Sequence, residues 1–203
     1  GAVIVTITEH GGEVNYDGQS HTVTGYDVAI SDPLYTESDF TFSGSASVSG
    51  TNAGSYPMTL TPDNFTNTNT NFDNVAFVIV DGTLKINPIT ATVTIVGANN
   101  TTDYDGQAHI VNGYEATAST ELYDVNSNIA FSGTAATATR TDAGTTNMGL
   151  TNEMFSNISN NFTNVAFNVV DGYQTVSPID VTVTITEHSG TANYDGNEHV
   201  VTG

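Results

Sequence analysis

The residues of this sequence that could do chemistry are the aspartates and histidines of a motif that occurs three times. Each copy reads Tyr-Asp-Gly and places a His four residues after the Asp. A carboxylate and an imidazole at this spacing could hold a cation or a ligand, but a motif shared by all copies is typical of a fold determinant. We therefore predict a turn with a packed Tyr, an Asp that caps its own turn, and a hydrogen-bonded His. The motif residues are Tyr16, Asp17, Gly18 and His21; Tyr104, Asp105, Gly106 and His109; and Tyr194, Asp195, Gly196 and His199.

Metal binding has weaker support than this structural role. A zinc site needs further ligands in fixed geometry, and no second His recurs, because Ala98 stands where the other copies have His10 and His188. Calcium prefers carboxylates and carbonyls. Four acidic residues recur in phase with the turns and are the weak Ca²⁺ candidates: Asp81, Asp171, Asp27 and Glu115. We predict no cofactor, with Ca²⁺ left open.

Catalysis is not expected. The sequence contains no Gly-x-Ser-x-Gly elbow, phosphate loop or dinucleotide fingerprint. A repeated unit without a unique polar cluster is also a poor place for an active site. We predict that the protein is not an enzyme.

The charge balance excludes several partners. The chain has 2 Lys and Arg against 22 Asp and Glu, a net charge of −20, and no Cys. Nucleic acid binding requires a basic surface, so we expect none, and no apolar run is long enough for membrane insertion. The acidic surface favours solubility and repulsion between parallel chains.

The motif copies divide the chain into units of about 90 residues. We predict one β repeat at 1–88, a second at 89–178, and the first two strands of an incomplete third at 179–203. Short Val- and Thr-rich runs separated by turn signals predict an all-β fold of tandem antiparallel, immunoglobulin-like β-sandwich repeats. A small mixed-sheet fold with one crossing helix is the alternative.

The turn residues predict parts of the local structure. Asp17-Gly18 and Asp81-Gly82 predict two-residue hairpins, and the apolar run Val75 to Val80 predicts the central strand. Pro57 predicts an edge strand. Thr61-Pro62 predicts one turn of helix.

The junctions between units are short and contain proline. Ile86-Asn87-Pro88-Ile89 and Val176-Ser177-Pro178-Ile179 pass from one unit to the next without a glycine. A stiff connection of this kind favours an extended rod over flexibly linked domains.

The repeat period, the Tyr-Asp-Gly motif and the closing run Val80-Asp81-Gly82-Thr83-Leu84-Lys85-Ile86-Asn87-Pro88 resemble a known repeat type. They are similar to the MBG ("mostly beta, glycine-rich") and YDG-type tandem repeats of bacterial surface adhesins. The resemblance covers the whole chain. It implies an all-β module of an extracellular stalk or fibre at the bacterial cell surface, without catalytic residues.

We therefore predict a structural repeat segment of an adhesin-like surface stalk or filament. The alternative is a glycan- or protein-binding adhesin module that contacts its ligand through the loops 67–71 and 157–161 and that Ca²⁺ could rigidify. The last residue falls inside a repeat, so we expect the chain to be a window on a longer protein. We also expect the strands begun at 179–203 to pair with a neighbouring copy or with the continuation of the same chain, because exposed strand edges need partners.

Overall fold

The computed structural model of the protein describes all 203 residues, and almost all of its regular structure is β-strand. Single-turn 3₁₀ helices lie at Glu37–Asp39, Pro62–Asn64 and Asn152–Met154. The turn at Pro62 confirms the helical turn predicted there. These helical turns have three residues each, so none of them could span a bilayer.

Two units of the chain share one order of strands. The first contains β1 (Val3–Glu9), β2 (Gly12–Asn15), β3 (His21–Thr24), β4 (Tyr26–Ile30), β5 (Phe40–Phe42), β6 (Ser47–Gly50), β7 (Gly54–Pro57), β8 (Phe65–Asn67), β9 (Val75–Val80) and β10 (Thr83–Asn87). The second contains β11 (Thr92–Gly97), β12 (Asn99–Asp103), β13 (His109–Asn112), β14 (Tyr114–Ala118), β15 (Ile129–Phe131), β16 (Thr137–Arg140), β17 (Gly144–Asn147), β18 (Phe155–Asn157), β19 (Ala166–Val170) and β20 (Tyr173–Ser177). We call them repeat 1 and repeat 2.

Each repeat is built from small sheets that mix parallel and antiparallel strands. In repeat 1 the two larger sheets have the orders β4-β1-β9 and β2-β10-β7, and the pairs β3-β6 and β5-β8 complete the unit; repeat 2 has the same arrangement. The all-β prediction is confirmed. The prediction of purely antiparallel pairing was wrong, because β1 runs parallel to β9 and β2 runs parallel to β10. The mixed-sheet alternative was closer, although no helix crosses the sheets.

The predicted hairpin at Asp81-Gly82 is instead a corner. There β9 leaves the sheet of β1 and continues as β10 beside β2, while β1 bends into β2 at the same level. The two segments of backbone approach each other closely here, since a Cβ added to Gly82 would lie 2.3 Å from the carbonyl oxygen of His10. The glycine of the Asp-Gly dipeptide therefore allows the backbones of two parallel segments to approach closely, and it does not reverse the direction of the chain.

Two further strand predictions have different outcomes. The Asp17-Gly18 turn does not join a hairpin either, because β2 pairs with β10 whereas β3 pairs with β6. The apolar run of β9 lies at a sheet edge, and β1 is the central strand. The edge position of Pro57 is confirmed, since β7 pairs only with β10.

Each repeat has its own hydrophobic core. In repeat 1 the inward residues of β1 pack with a group of aromatic rings from the connecting segments; the buried members are Val3, Val5, Ile7, Tyr35, Phe40, Met58, Leu60 and Phe65. In repeat 2 they are Ala91, Val93, Ile95, Tyr123, Leu150, Phe155 and Phe162. The alternation of β1, in which every second residue is buried, is the pattern expected of a strand with one face inward.

Candidate functional site at the Tyr-Asp-Gly turns

The Asp and His of each motif copy bind each other and the turn. The Asp17 carboxylate accepts hydrogen bonds from the Gln19 backbone N–H at 2.9 Å and from His21 Nε2 at 2.8 Å. The other copies repeat both contacts, with Asp105 to Gln107 and His109 and with Asp195 to Asn197 and His199. These are turn-closing contacts of the predicted kind, and they occupy the groups that a ligand would need.

The same contacts lower the pKa of the motif aspartates. For Asp17 and Asp105 the main cause is the backbone N–H two residues later, followed by the hydrogen bond from the His. The pKa of Asp195 is lowered mainly by the backbone N–H of Asn197. Hydrogen bonds to the charged form favour that form, so the carboxylates stay ionised while the turn is intact.

We expect acid to remove the stabilisation that these aspartates contribute. Because their folded-state pKa is lowered, the contribution is complete above the unfolded value of 3.8 and is lost as the pH falls through the lowered value. Asp39 and Asp124 act in the same direction. The melting temperature should therefore fall between about pH 5 and about pH 2.

The control is Asp17→Asn, whose amide oxygen still accepts from Gln19 but carries no charge. The melting temperature of this variant should depend less steeply on acid. A wild-type melting temperature that is flat over the same range would contradict the assignment.

The motif tyrosine of repeat 1 belongs to the core of repeat 2. The ring of Tyr16 meets Phe162 edge-on, with centroids 5.8 Å apart, and packs against the second core. Beside it, a Cβ added to Gly18 would lie 3.1 Å from Leu122. The predicted packed Tyr is thus packed across the boundary between repeats.

Polar contacts extend this joint between the repeats. The Asn161 side chain accepts from the Ala53 N–H at 2.7 Å and donates to Asn52 Oδ1 at 3.2 Å. In the backbone, Tyr16 N–H donates to Asn87, whereas Ile89 N–H donates to Asn161. Pro88 alone separates a residue bonded to repeat 1 from a residue bonded to repeat 2.

The other two motif tyrosines lack such a partner. Tyr104 is 40% exposed and lines a groove with Ala143, Pro178 and Ile179, and Tyr194 is 97% exposed. All of residues 179–203 are exposed, Ile179 by 50%. The three copies therefore share one turn geometry, and the exposure of the tyrosine differs most among them.

The remaining histidines of repeat 1 and of 179–203 occupy one equivalent position. His10 donates from Nδ1 to the Thr24 carbonyl at 2.8 Å and from Nε2 to Asp27 at 3.0 Å. The hydrogen bond to Asp27, and then that to Thr24, raises the pKa of His10. His188 makes the matching contact to Thr202 at 3.0 Å. His10 thereby joins the end of β1 to β3, and His188 makes the equivalent local contact within 179–203.

The four calcium candidates are not brought together. Asp27 bonds His10, Asp171 accepts from the backbone of Gly149 and Leu150, and Glu115 lines a groove in repeat 2. Asp81 lies at the corner between β9 and β10. No group of three or more His, Asp or Glu side chains is placed to hold a metal ion.

The sequence analysis missed a buried carboxylate at the strand corner. Glu9 is 4% exposed, and its two oxygens accept from the N–H groups of Leu60 at 2.9 Å and Gly82 at 3.0 Å. Repeat 2 has Gly97 at that position, and Asp171 accepts from Gly149 and Leu150 instead. The sequence pattern that could have revealed it is the alternation along β1, in which Glu9 falls on the same face as the buried Val3, Val5 and Ile7.

The loops proposed for glycan binding use their amides internally. Asn67 donates to the carbonyls of Asn69 and Phe72, and its oxygen accepts from the Asn69 N–H and the Tyr35 hydroxyl. Asn157 repeats the bonds to the loop carbonyls in repeat 2. Since Asn161 contacts repeat 1, these loops serve the fold and the joint.

The largest concavity offers no further cluster. It is a groove of about 520 Å³ in repeat 2, lined by Tyr114, Glu115, Val125, Asn126 and Ile129 among others. Glu115 is the only carboxylate among the lining residues. The joint between the repeats is therefore the site at which a motif residue makes the most contacts with a distant part of the chain.

Comparison with known proteins gives one match. No curated protein and no solved structure matches the chain. The family model described as the MBG domain matches residues 3–88, which span all ten strands of repeat 1. The match fits a repeat module of surface proteins and agrees with the resemblance seen in the motifs. Residues 3–88 of this chain are therefore similar to the MBG domain family.

Proposed function

We propose that this chain is a structural repeat segment of an extracellular stalk or filament of a bacterial surface protein. It is adhesin-like in setting and has no catalytic role. Its task is to hold successive repeats at a fixed distance and orientation so that other parts are displayed away from the cell. The partners are neighbouring repeats, either of the same chain or of neighbouring copies.

The observation that carries this proposal is the joint between the repeats. Tyr16 packs on Phe162, Asn161 bonds the 52–53 turn, and only Pro88 separates the bonded ends. A linker that cannot bend freely and a side chain shared by two cores both oppose hinge motion. Repeats connected in this way are suited to transmit position along an array.

The accessible surface agrees with an extended arrangement. A compact monomer of this mass exposes about 9,100 Å², whereas this chain exposes 12819 Å². Residues 179–203 account for part of the excess, because they are exposed throughout. The net charge of −20 adds repulsion that keeps parallel stalks apart.

Small-angle X-ray scattering tests this proposal. We expect a radius of gyration well above the roughly 17 Å of a compact chain of this length, with a distance distribution that has a long tail. The control inserts Gly-Gly-Ser after Pro88, which should broaden that distribution by freeing the joint. A compact profile for the wild type, or an insertion without effect, would contradict a stiff array.

A further inference from the structure

The strand corner of repeat 2 lacks a side chain that repeat 1 has. His10 follows β1 in repeat 1, and its counterpart after β11 is Ala98. The His10 ring lies against Gly25, because a Cβ added to that glycine would be 3.1 Å from His10 Nδ1. A Cβ added to the equivalent Gly113 would have no atom within 4 Å. The space that the imidazole ring fills in repeat 1 is therefore open in repeat 2.

The backbone around this opening is the same in the two repeats. His10 N–H donates to the Gly25 carbonyl at 3.0 Å, and Ala98 N–H donates to the Gly113 carbonyl at 3.0 Å. The φ angles of Gly25 and Gly113 are 89° and 90°. Repeat 2 therefore keeps the backbone frame that holds a histidine in repeat 1, although it lacks the histidine.

The two groups that His10 binds also have counterparts in repeat 2. In repeat 1 the ring N–H groups of His10 reach the Thr24 carbonyl at 2.8 Å and the Asp27 carboxylate at 3.0 Å. The counterparts are the Asn112 carbonyl and the Glu115 carboxylate, and Glu115 occupies the register position of Asp27 in its strand pair. The ion pairs of the chain all use other carboxylates. Glu115 therefore lacks the cationic partner that Asp27 has.

The opening belongs to a groove of about 460 Å³ whose lining includes Gly97, Ala98, Asn112 and Glu115. We call it the Ala98 groove. Glu115 also lines the groove of about 520 Å³ described above, so the two concavities adjoin at this residue. Ligand-binding clefts have volumes of about 300–1,000 Å³, so the Ala98 groove has room for a side chain that enters from a second molecule.

We propose that the Ala98 groove binds the guanidinium group of an arginine side chain from a partner protein. A guanidinium presents several N–H donors in one plane, so it can donate to the Asn112 carbonyl and to the Glu115 carboxylate, as the His10 ring does to their counterparts. Its fork of donors also matches a carboxylate in a bidentate pair. The side chain of Glu115 is one methylene longer than that of Asp27, which lets its carboxylate reach a cation that enters from outside.

Charge determines the kind of partner. The net charge of −20 attracts a basic segment and repels a second copy of this chain. The one arginine of the chain, Arg140, already donates to the carbonyls of Asp142 and Ala143 and to the Thr146 hydroxyl. The arginine must therefore come from a different protein, in an exposed basic segment. This contact does not depend on a stiff array, so it goes beyond the proposed function.

A nuclear magnetic resonance titration of the isotope-labelled chain tests the proposal. The probe is the peptide acetyl-Gly-Arg-Gly-amide, added at neutral pH and physiological salt. We expect saturable shifts of the backbone amides of Ala98, Gly113 and Glu115, and none at Gly25 and Asp27, where His10 fills the space. The matched probe acetyl-Gly-Lys-Gly-amide has the same charge without the planar fork and should bind more weakly. Equal binding of the two peptides would indicate a diffuse effect of charge and would overturn the proposal.

Three variants test the residues of the groove. Ala98→His should fill the groove with its own ring and abolish the shifts, whereas His10→Ala should open a second site beside Asp27. Glu115→Gln should weaken binding about tenfold, because a charge-assisted hydrogen bond is roughly twice as strong as a neutral one. The proposal is wrong if the groove amides show no saturable shift, or if Ala98→His leaves the shifts unchanged. Scattering of the chain does not involve this groove, so each of the two proposals can fail without the other.

Discussion

Replacing Glu9 by alanine is expected to destabilise repeat 1 by about 3–5 kcal/mol, because two buried N–H groups lose their acceptor and each such loss costs about 1–3 kcal/mol. The groups are those of Leu60 and Gly82, which the Glu9 carboxylate joins across the strand corner. A loss of this size approaches the whole stability of a small domain, about 5–15 kcal/mol. Urea unfolding of the wild type and the variant measures the difference.

Two variants serve as controls for Glu9. In Glu9→Gln the amide can accept only one of the two bonds, so we expect about half of the loss. Asp171→Ala in repeat 2 removes an acceptor in a more exposed setting and should cost about 1–2 kcal/mol. If Glu9→Ala costs no more than Asp171→Ala, the buried carboxylate does not hold the corner as proposed.

Replacing Tyr16 by alanine is expected to destabilise repeat 2, although Tyr16 lies in repeat 1. The change removes the edge-on contact with Phe162 and uncovers the second core at the joint. Tyr16 is only partly buried, so we expect about 1–3 kcal/mol, at or below the range for full removal of a buried aromatic side chain. Amide hydrogen exchange should show the loss of protection in β11 and β19.

The matched control for Tyr16 is Tyr104→Ala in dilute protein. Tyr104 has the same motif and turn but no following repeat packed on it, so its removal should cost less than about 0.5 kcal/mol. Equal effects of the two variants would mean that the ring acts within its own turn. A loss of protection confined to repeat 1 after Tyr16→Ala would lead to the same conclusion.

Strong local preferences made several features predictable from the sequence. Asp17 and His21 contact each other because they lie four residues apart around one turn, so the contact needs no distant partner. Thr61-Pro62 determines a helical turn, and Pro57 lacks the N–H that a strand paired on both sides requires. The all-β class follows from short Val- and Thr-rich runs, and the recurring motifs indicated the similarity to the MBG domain that residues 3–88 show.

Strand pairing could not be read from the same residues. Asp81-Gly82 is compatible both with a hairpin and with a corner where two parallel strands change sheets, and only the approach of His10 distinguishes them. The apolar run of β9 suggested a central strand, yet the edge of a sheet can carry Val78 and Val80 on its exposed face. These choices depend on which segments meet, and that is a long-range property.

By itself, the sequence determined an acidic, cysteine-free, all-β chain of repeats of about 90 residues whose Asp and His residues close their own turns, since those properties depend on composition and near neighbours. Only the tertiary structure decided what the motif tyrosine does. The Tyr16 ring leaves its own repeat and packs on Phe162, 146 residues later in the chain. No local pattern encodes that contact, because it exists only when two folded repeats meet.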